Sequence, residues 1–337
     1  MKKIMAMLLA MVMLLSLAAC GSQKEAAADK KETTNVKVAY MPNWGALWAV
    51  ATADAKGYFA EEGITVELYQ VQEGPSEIAA LESGSINVAY IGQGPHKLCA
   101  AGNAKVFLLQ HLGQADFIIG FNGTKSIADL KGKKVGYVPG TASETLLSTA
   151  LKSEGMTLED IKAVSLIPNN MTAAALSNNV DAVSVWNPFA ATILNESDSA
   201  VKICTNGDFP SLFAPSSWVA NPKWAEENHD TLVKFTRAMF KAMDYASAAD
   251  TDDAIAEEVA GYIASVIKTD AADVMDQRYD GTWLGKDVIL EGIENGQLID
   301  FYTQQQDAFI DMGVVDAATA QTPKEFVLTD IMAEAGK

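Results

Sequence analysis

Short apolar runs alternate along the chain with segments whose apolar positions recur at helical spacing. Apolar runs of this length predict buried strands, and the segments between them predict helices. Strands are predicted at 36–40, 64–71, 86–91, 106–109, 117–121, 135–138, 163–166 and 182–186, and helices at 48–61, 75–82, 173–176 and directly after Ser143. From Pro222 onward the pattern changes to long helices. The sequence therefore predicts an α/β fold of mixed, mainly parallel sheets with helices on both faces and a helical C-terminal part.

One order of features occurs twice in the chain. The end of an Ala/Leu helix, a turn, a strand and a proline follow one another in 79-AALESGSINVAYIGQGP-95 and in 174-AALSNNVDAVSVWNP-188. If these stretches belong to two similar lobes, each presents the carboxyl end of a strand to a shared crevice, where open α/β sheets bind ligands. The alternative is a pair of unrelated helix–strand junctions, and the pattern leaves both interpretations open.

The turn after the sixth predicted strand has the form of a helix N-terminus. Thr141, with Glu144 three residues later, matches a capping box. A turn at Gly140 leaves the backbone N–H groups of Ala142 and Ser143 at the start of the helix, where such groups can hold an anion or a polar ligand. The alternative is a capped helix that binds nothing.

The N-terminus has the features of a bacterial export signal. Two lysines precede an apolar run at 4–17, which is short for a membrane span and ends in 17-LAAC-20. This ending resembles the lipobox of bacterial lipoproteins, which implies a signal peptide at 1–19 and a diacylated Cys20. An ordinary signal peptide is the alternative. Residues 20–35 have no hydrophobic face, so they are interpreted as the lipidated cysteine and a flexible tether.

Charge and motif content exclude several classes of function. The 337 residues have a net charge of −18, and the only arginines are Arg237 and Arg278. Without a Lys/Arg-rich patch, nucleic acid is not expected as a partner. The three histidines are isolated and belong to no hydrolase or metal-binding motif, so we expect no enzyme activity, no cofactor and no metal. Cys99 and Cys204 lie in apolar segments, which favours buried thiols over a disulfide.

Four further segments carry a resemblance to a known family. They are 56-KGYFAEEGITVEL-68, 72-QEGPSEIAALESGSINVAYIGQGP-95, 126-SIADLKGKKVGYVPGTASETLL-147 and 181-DAVSVWNPFAATIL-194. In this order they resemble substrate-binding proteins of the nitrate/sulfonate/taurine class of ABC importers, a superfamily that also includes binding proteins for pyrimidine precursors of thiamine. The resemblance implies a two-lobed, type II periplasmic-binding-protein-like fold that closes by hinge bending. Lobe one is expected at 36–118 plus 219–337, lobe two at 119–218, and the crossovers near 117–121 and 216–220.

The resemblance also implies ligand contacts near the carboxyl ends of strands in both lobes. The residues expected to bind ligand are Asn43, Trp44, Trp48, Gln93, His111, Gly140, Thr141, Ala142, Ser143, Trp186 and Asn187. For the tryptophans, packing in the core is the alternative to stacking on a ligand. For His111 the alternative is a structural histidine, which a lone histidine near an apolar run more often is. Gln93 and Asn187 occupy positions where this class often has Asp. This departure removes two negative charges from the expected crevice, which weakens the case for a ligand amine there and equally leaves a sulfonate unproven.

The function implied is the solute-binding component of an ABC importer. It would capture a small polar organic ligand, such as a sulfonate or taurine-like anion, and deliver it to a permease and its ATPase. Three alternatives are an aromatic pyrimidine-type ligand held by Trp stacking, a ligand-sensing module for a membrane receptor, and, least favoured, a pyrimidine-synthase-like enzyme. We expect a monomer, lipid-anchored to the outer face of the cell membrane of a Gram-positive bacterium. Arg278, Tyr279 and Trp283 are candidates to reach the cleft from the C-terminal helices.

Overall fold

A six-stranded sheet contains the N-terminal strands and two later strands. The computed structural model describes residues 33–209, 212 and 214–337. The strands of this sheet are β1 (Thr34–Tyr40), β2 (Ile64–Gln70), β3 (Val88–Ile91), β4 (Lys105–Gly113), β10 (Pro215–Ala220) and β11 (Gly281–Trp283), in the order β11-β4-β10-β3-β1-β2. β1 pairs in parallel with β2 and β3, whereas β10 is antiparallel to β3 and β4, and β11 is antiparallel to β4.

A five-stranded sheet contains the middle of the chain. Its strands are β5 (Asp116–Gly120), β6 (Lys134–Tyr137), β7 (Lys162–Ser165), β8 (Ala182–Trp186) and β9 (Val201–Thr205), in the order β7-β6-β8-β5-β9. β6 is parallel to β7 and β8, and β5 is antiparallel to β8 and β9. Both sheets are therefore mixed, and their antiparallel pairs all involve β5, β10 or β11.

Helices cover both sheets and form most of the C-terminal part. The helices up to β10 are α1 (Trp44–Leu47), α2 (Val50–Ala55), α3 (Tyr58–Glu61), α4 (Gly74–Glu82), α5 (His96–Ala100), α6 (Ala142–Ser153), α7 (Pro168–Leu176) and α8 (Phe189–Glu196). Those after it are α9 (Pro222–Glu227), α10 (His229–Ala246), α11 (Asp253–Ile267), α12 (Ala272–Met275), α13 (Lys286–Glu294), α14 (Gln297–Asp311), α15 (Pro323–Phe326) and α16 (Thr329–Ala335). Among the described residues, no helix is both long and apolar enough to cross a membrane.

The chain passes between the two sheets twice. It leaves the six-stranded sheet after Gly113 and enters the other at Asp116, and it returns between Thr205 and Pro215. The lobe boundaries predicted at 118/119 and 218/219 stay a prediction. The predicted signal peptide, the lipid site Cys20 and the tether up to residue 32 lie outside the described residues. Residues 34 and 35, predicted as tether, are the first two of β1.

Most predicted strands and helices occur close to their predicted positions, but the helix predicted at 48–61 is interrupted. The predicted range contains α2 and α3, whereas α1 ends before it at Leu47, and Gly57, with φ +76°, separates α2 from α3. A left-handed backbone at Gly57 is available to glycine at no steric cost, so the sequence does contain the signal for this break. Antiparallel pairing is also more extensive than the apolar runs indicated, because such runs report burial and not strand direction.

The main hydrophobic core lies between the six-stranded sheet and the C-terminal helices. α10 presents one apolar face to it, and Phe235 on that face is fully buried. Its ring lies 4.8 Å from the ring of Phe59, 5.8 Å from Phe107 and 6.0 Å from Trp218. Two smaller clusters of buried side chains pack on the five-stranded sheet. Cys99 and Cys204 are buried free thiols, as expected.

We predict that Phe235→Ala lowers the free energy of unfolding by ~3–5 kcal/mol, because it leaves a cavity where α10 meets the sheet. The neighbouring Lys234 is exposed on the same helix, so Lys234→Ala is the matched control and should change stability by less than ~0.5 kcal/mol. Urea unfolding measures both. Equal effects of the two substitutions would contradict this description of the core.

Candidate functional site

A cavity of about 90 Å³ lies where strand ends of the two sheets face each other. Tyr90, His111 and Ser216 line it from β3, β4 and β10, and Asp116 and Trp186 line it from β5 and β8. Residues of the first turn of α6 complete the wall. The predicted residues at the cavity are Asn43, Gln93, His111, Thr141, Ala142, Trp186 and Asn187. Their contact with a ligand stays a prediction.

Trp44 and Trp48 do not line the cavity. Both are fully buried in the main core, with ring centroids 6.4 Å and 5.2 Å from Trp283. Trp44 is also fixed by its backbone N–H, which donates to Gln277 Oε1 at 3.1 Å. The structure thus assigns these two tryptophans, and Trp283 with them, to packing. Helical spacing after a strand does not distinguish a side chain that faces the crevice from one that faces the core.

The turn before α6 uses its hydroxyl groups on its own backbone. Thr141 Oγ1 donates to the carbonyl of Val138 at 2.7 Å and accepts from the N–H of Ser143 at 3.2 Å. Ser143 Oγ donates to the carbonyl of Ser184 at 2.6 Å and accepts from the N–H of Val138 at 3.0 Å. Neither Ser143 nor Gly140 lines the cavity. Only Thr141 and Ala142 of the predicted turn reach the cavity, and the expected contribution of the turn to ligand binding stays a prediction.

Glu144 joins the two sheets instead of closing a capping box on Thr141. Its carboxylate accepts from the N–H of Gly140 at 2.9 Å and from Lys97 Nζ of α5 at 2.9 Å. Gly140 has φ +80°, which the turn requires and glycine readily adopts. The charge of Lys97 is thereby engaged by Glu144, and Lys97 does not line the cavity.

The histidine and aromatic side chains at the cavity form a neutral wall. His111 is buried, stacks on Tyr90 with ring centroids 6.0 Å apart and lies 4.8 Å from Trp283. Burial lowers the pKa of His111 to about 3, so the imidazole is uncharged at neutral pH. Trp186 lies partly exposed at the cavity, with its ring edge-on to Phe189. His111 and Trp186 are thus placed to contact a ligand body, by packing and not by charge.

The cavity contains two carboxylates that sequence reasoning missed. Asp116 is the first residue of β5, and Asp280 precedes β11, so the two come from opposite sheets. Burial raises the pKa of each to about 7, and each also faces a further carboxylate, Asp280 for Asp116 and Asp276 for Asp280. Asp280 Oδ1 accepts from Asn187 Nδ2 at 2.8 Å. For Asp116, the sequence did contain a signal: a charged residue directly before an apolar run, at 115-ADFIIG-120, where a strand begins.

The C-terminal candidates divide in a way that the sequence did not indicate. Asp280 and Gln277 of this segment line the cavity, whereas Arg278 and Tyr279 do not. The guanidinium of Arg278 forms an ion pair with Asp253, with Nη1 2.8 Å from Oδ1, and does not line the cavity. In the described part of the chain, no group of three or more His, Cys, Asp or Glu side chains is placed to hold a metal ion.

The two sheets approach closely beside the cavity. A Cβ atom at Gly94 would lie 2.2 Å from the carbonyl carbon of Thr141, a distance that real Cβ atoms do not tolerate. Gly140 likewise faces Pro75 across the gap, where a Cβ would lie 3.0 Å from its ring. Together with the pairs Lys97–Glu144 and Asn187–Asp280, these contacts show the sheets closed on the cavity.

Comparison with known proteins decides the family. The model of a family described as "NMT1/THI5 like" matches residues 46–252 of this chain. The chain belongs to this family. The resemblance of the sequence segments is thereby confirmed. The match contains all strands of the five-stranded sheet and β2, β3, β4 and β10 of the six-stranded sheet.

Several proteins similar to this chain are named as binding proteins, and one solved structure with the same fold, at 14% identity and a TM-score of 0.60, is named as the desulfurization enzyme DSZB. A protein of Brucella abortus, named as a binding protein without a stated ligand, is 28% identical over 296 residues, which is 88% of this chain and 90% of that one. The taurine-binding periplasmic protein of Escherichia coli is 26% identical over 222 residues, 64% of this chain and 67% of that one. The solved alkanesulfonate-binding protein SsuA of Xanthomonas axonopodis pv. citri, bound to MOPS, has a TM-score of 0.68 at 19% identity and covers 88% of this chain and 98% of that one. This likeness confirms the predicted two-sheet binding-protein fold.

We predict that Asp116→Asn makes the unliganded protein more stable at pH 8, with a gain that disappears toward pH 4. A carboxyl whose pKa is raised from 3.8 to about 7 stabilises the fold only while protonated. This contribution is lost as the pH rises through the folded pKa. The increase in the pKa corresponds to up to ~4 kcal/mol of unfolding free energy. Thermal unfolding of the variant and the parent across this pH range measures the difference. Asp287→Asn, at an exposed position on α13, is the control. A gain in stability that does not depend on pH would contradict the raised pKa of the buried Asp116 carboxyl.

Proposed function

We propose that this protein is the extracellular solute-binding component of an ABC importer and encloses a small organic ligand between its two sheets. The observation that carries the proposal is the cavity, whose walls come from strand ends of both sheets and which the contacts between Gly94, Thr141, Lys97 and Glu144 close. A ligand that touches both walls stabilises the closed arrangement over an open one by its differential binding. A permease can then distinguish loaded from empty protein by its outer surface.

The ligand is proposed to be small and polar. A cavity of about 90 Å³ suits a compact molecule of a few heavy atoms. The sulfonate or taurine-like anion expected from the sequence is consistent with the names of the taurine-binding and alkanesulfonate-binding relatives. The pyrimidine-type alternative draws support from Tyr90, His111 and Trp186, whose rings line the cavity. Trp44 and Trp48 are packed in the core and would not stack on such a ligand.

The remaining parts of the proposal concern partners and place. Cys20 is proposed to carry the lipid that holds the chain at the outer face of the membrane, and 20–35 to tether it. Permease and ATPase subunits are the proposed partners of a monomer, and the protein is proposed to catalyse no reaction. A sensing module for a membrane receptor would use the same cavity and differs only in the partner.

A thermal-shift screen of the purified protein tests the proposal. The panel contains taurine, alkanesulfonates, nitrate, small amines, thiamine and its pyrimidine precursors. A ligand that binds only the folded state stabilises it by RT ln(1 + [L]/Kd), which is about 2.7 kcal/mol at a hundredfold excess over Kd. We expect at least one class to raise Tm in proportion to the logarithm of its concentration. Absence of any response across the panel would contradict a small-molecule binding function of this kind.

Gly94→Ala is predicted to reduce the affinity for whichever ligand the screen finds by at least tenfold, without unfolding the protein. The added Cβ would meet the backbone of Thr141 and hold the two sheets apart. Gly261 on α11 has free space around it, so Gly261→Ala is the matched control and should bind as the parent does. Isothermal titration measures the affinities. Full affinity in Gly94→Ala would place the ligand elsewhere than in the closed cavity.

A further inference from the structure

We propose that the cavity is built for a compact organic cation, whose N–H groups lie between Asp116 and Asp280, and not for an anion. This inference rests on the proposed function, because it takes the cavity to be the ligand site. It differs from the ligand classes that the names of the relatives suggest. Four features of the cavity carry it: one buried and one partly buried carboxylate, the absence of a counter-charge, a buried amide without a partner, and aromatic rings that favour cations.

The two carboxylates are held in place before any ligand arrives. The backbone of Asp280 is held by two hydrogen bonds. Its carbonyl accepts from the N–H of Gln114 at 2.7 Å, and its own N–H donates to the carbonyl of Gln277 at 3.0 Å. Gln114 lies two residues before Asp116, so this bond fixes one acid relative to the other. Asp116 is 7% exposed, and none of the described residues donates a hydrogen bond to its carboxylate. Its oxygens are therefore free to accept from a ligand.

The cavity supplies no cation of its own. Among the described residues that line it, none is Lys or Arg. Arg278 is close to Asp280 in sequence, but its guanidinium contacts Asp253 and the hydroxyl of Tyr279. Lys97, near the opposite wall, pairs with Glu144. A buried and a partly buried carboxylate without a counter-charge destabilise the ionised state, and a ligand cation is the group that would offset this.

The other titratable groups around the pair add no positive charge. Asp276 adds repulsion on the Asp280 side. Tyr90, near Asp116, is kept neutral because burial raises its pKa, and His111 is kept neutral because burial lowers its pKa. A sulfonate or a carboxylate placed here would meet two acids and no cation. A protonated amine meets two acceptors and an aromatic wall that favours cations.

Gln93 provides an independent sign of a ligand at the same cavity. It lines the cavity, is 2% exposed, and neither Oε1 nor Nε2 has a hydrogen-bond partner among the described residues. Its backbone is held firmly, because its carbonyl accepts from His96 Nδ1 at 3.0 Å and from Gln305 Nε2 at 2.9 Å. His96 is held in turn by Ser217 Oγ at 2.9 Å from Nε2. A buried amide without partners is costly, so we assign it to polar groups of the ligand.

Two pairs of probes, one with a propyl body and one with a six-membered aromatic ring, test the inference by thermal shift and titration calorimetry on the purified protein. Propylamine and 4-aminopyridine are cations at neutral pH, and propane-1-sulfonate and benzenesulfonate are anions. We expect both cations to bind and neither anion to do so. Asp116→Asn and Asp280→Asn should each reduce cation affinity about tenfold or more, as expected for loss of a charge-assisted hydrogen bond. Asp287→Asn on α13 should leave it unchanged.

Proton release gives a readout that a merely structural role of the acids would not produce. The pair binds a proton at neutral pH because both carboxyls titrate near pH 7, so an incoming cation displaces part of it. Calorimetry in two buffers of different ionisation enthalpy should show this release at pH 7. Affinity for both cations should rise between pH 5 and pH 8, and the rise should be smaller in either Asp→Asn variant.

The outcomes separate this inference from the proposed function. Binding of the sulfonates in preference to the amines would overturn the inference and leave the small-molecule function intact. Cation binding that is unchanged in both Asp→Asn variants would overturn it as well, because the cations would then lie elsewhere. Failure of both cations to bind at millimolar concentration overturns the inference, and the wider screen with Gly94→Ala then decides the proposed function by itself.

Discussion

The hydrogen bond from Asn187 Nδ2 to Asp280 Oδ1 joins the two sheets at the point where the ligand is proposed to bind. It connects the end of β8 with the residue before β11, and thereby brings a carboxylate of one sheet to the cavity wall of the other. Asp116, at the start of β5, completes the acid pair. The charge of the cavity, its closure and its proposed selectivity for cations all depend on this arrangement.

Closure is favoured by small residues at the line of contact as well as by polar pairs. Gly94 and Gly140 allow backbones of the two sides to approach to a distance that a side chain would prevent. Lys97 and Glu144 then form an ion pair beside that contact, partly shielded from solvent, where such a pair is less screened than at an open surface. The result is a cavity that a small ligand fills and a larger one would hold open.

The sequence predicts the fold well where burial decides the structure. The strand at 182–186 has its predicted bounds, because an apolar run between an Asn-rich turn and a proline has few alternatives. The site is predicted only in part. Thr141, Gln93 and Asn187, expected from strand ends, line the candidate cavity. Trp44 and Trp48 belong to the core, since helix orientation depends on tertiary packing that no local pattern encodes. Asp116 and Asp280 were missed for a related reason: they become a pair only when residues far apart in the chain meet across two sheets.

The proposed cation site places a ligand nitrogen between Asp116 and Asp280 inside the closed cavity. A crystal structure of the protein with 4-aminopyridine should therefore show the amino group or the protonated ring nitrogen within hydrogen-bond distance of both carboxylates, with the ring against Tyr90, His111 and Trp186. A ring bound outside the cavity, or a cavity that admits benzenesulfonate with its sulfonate toward the two acids, would contradict it.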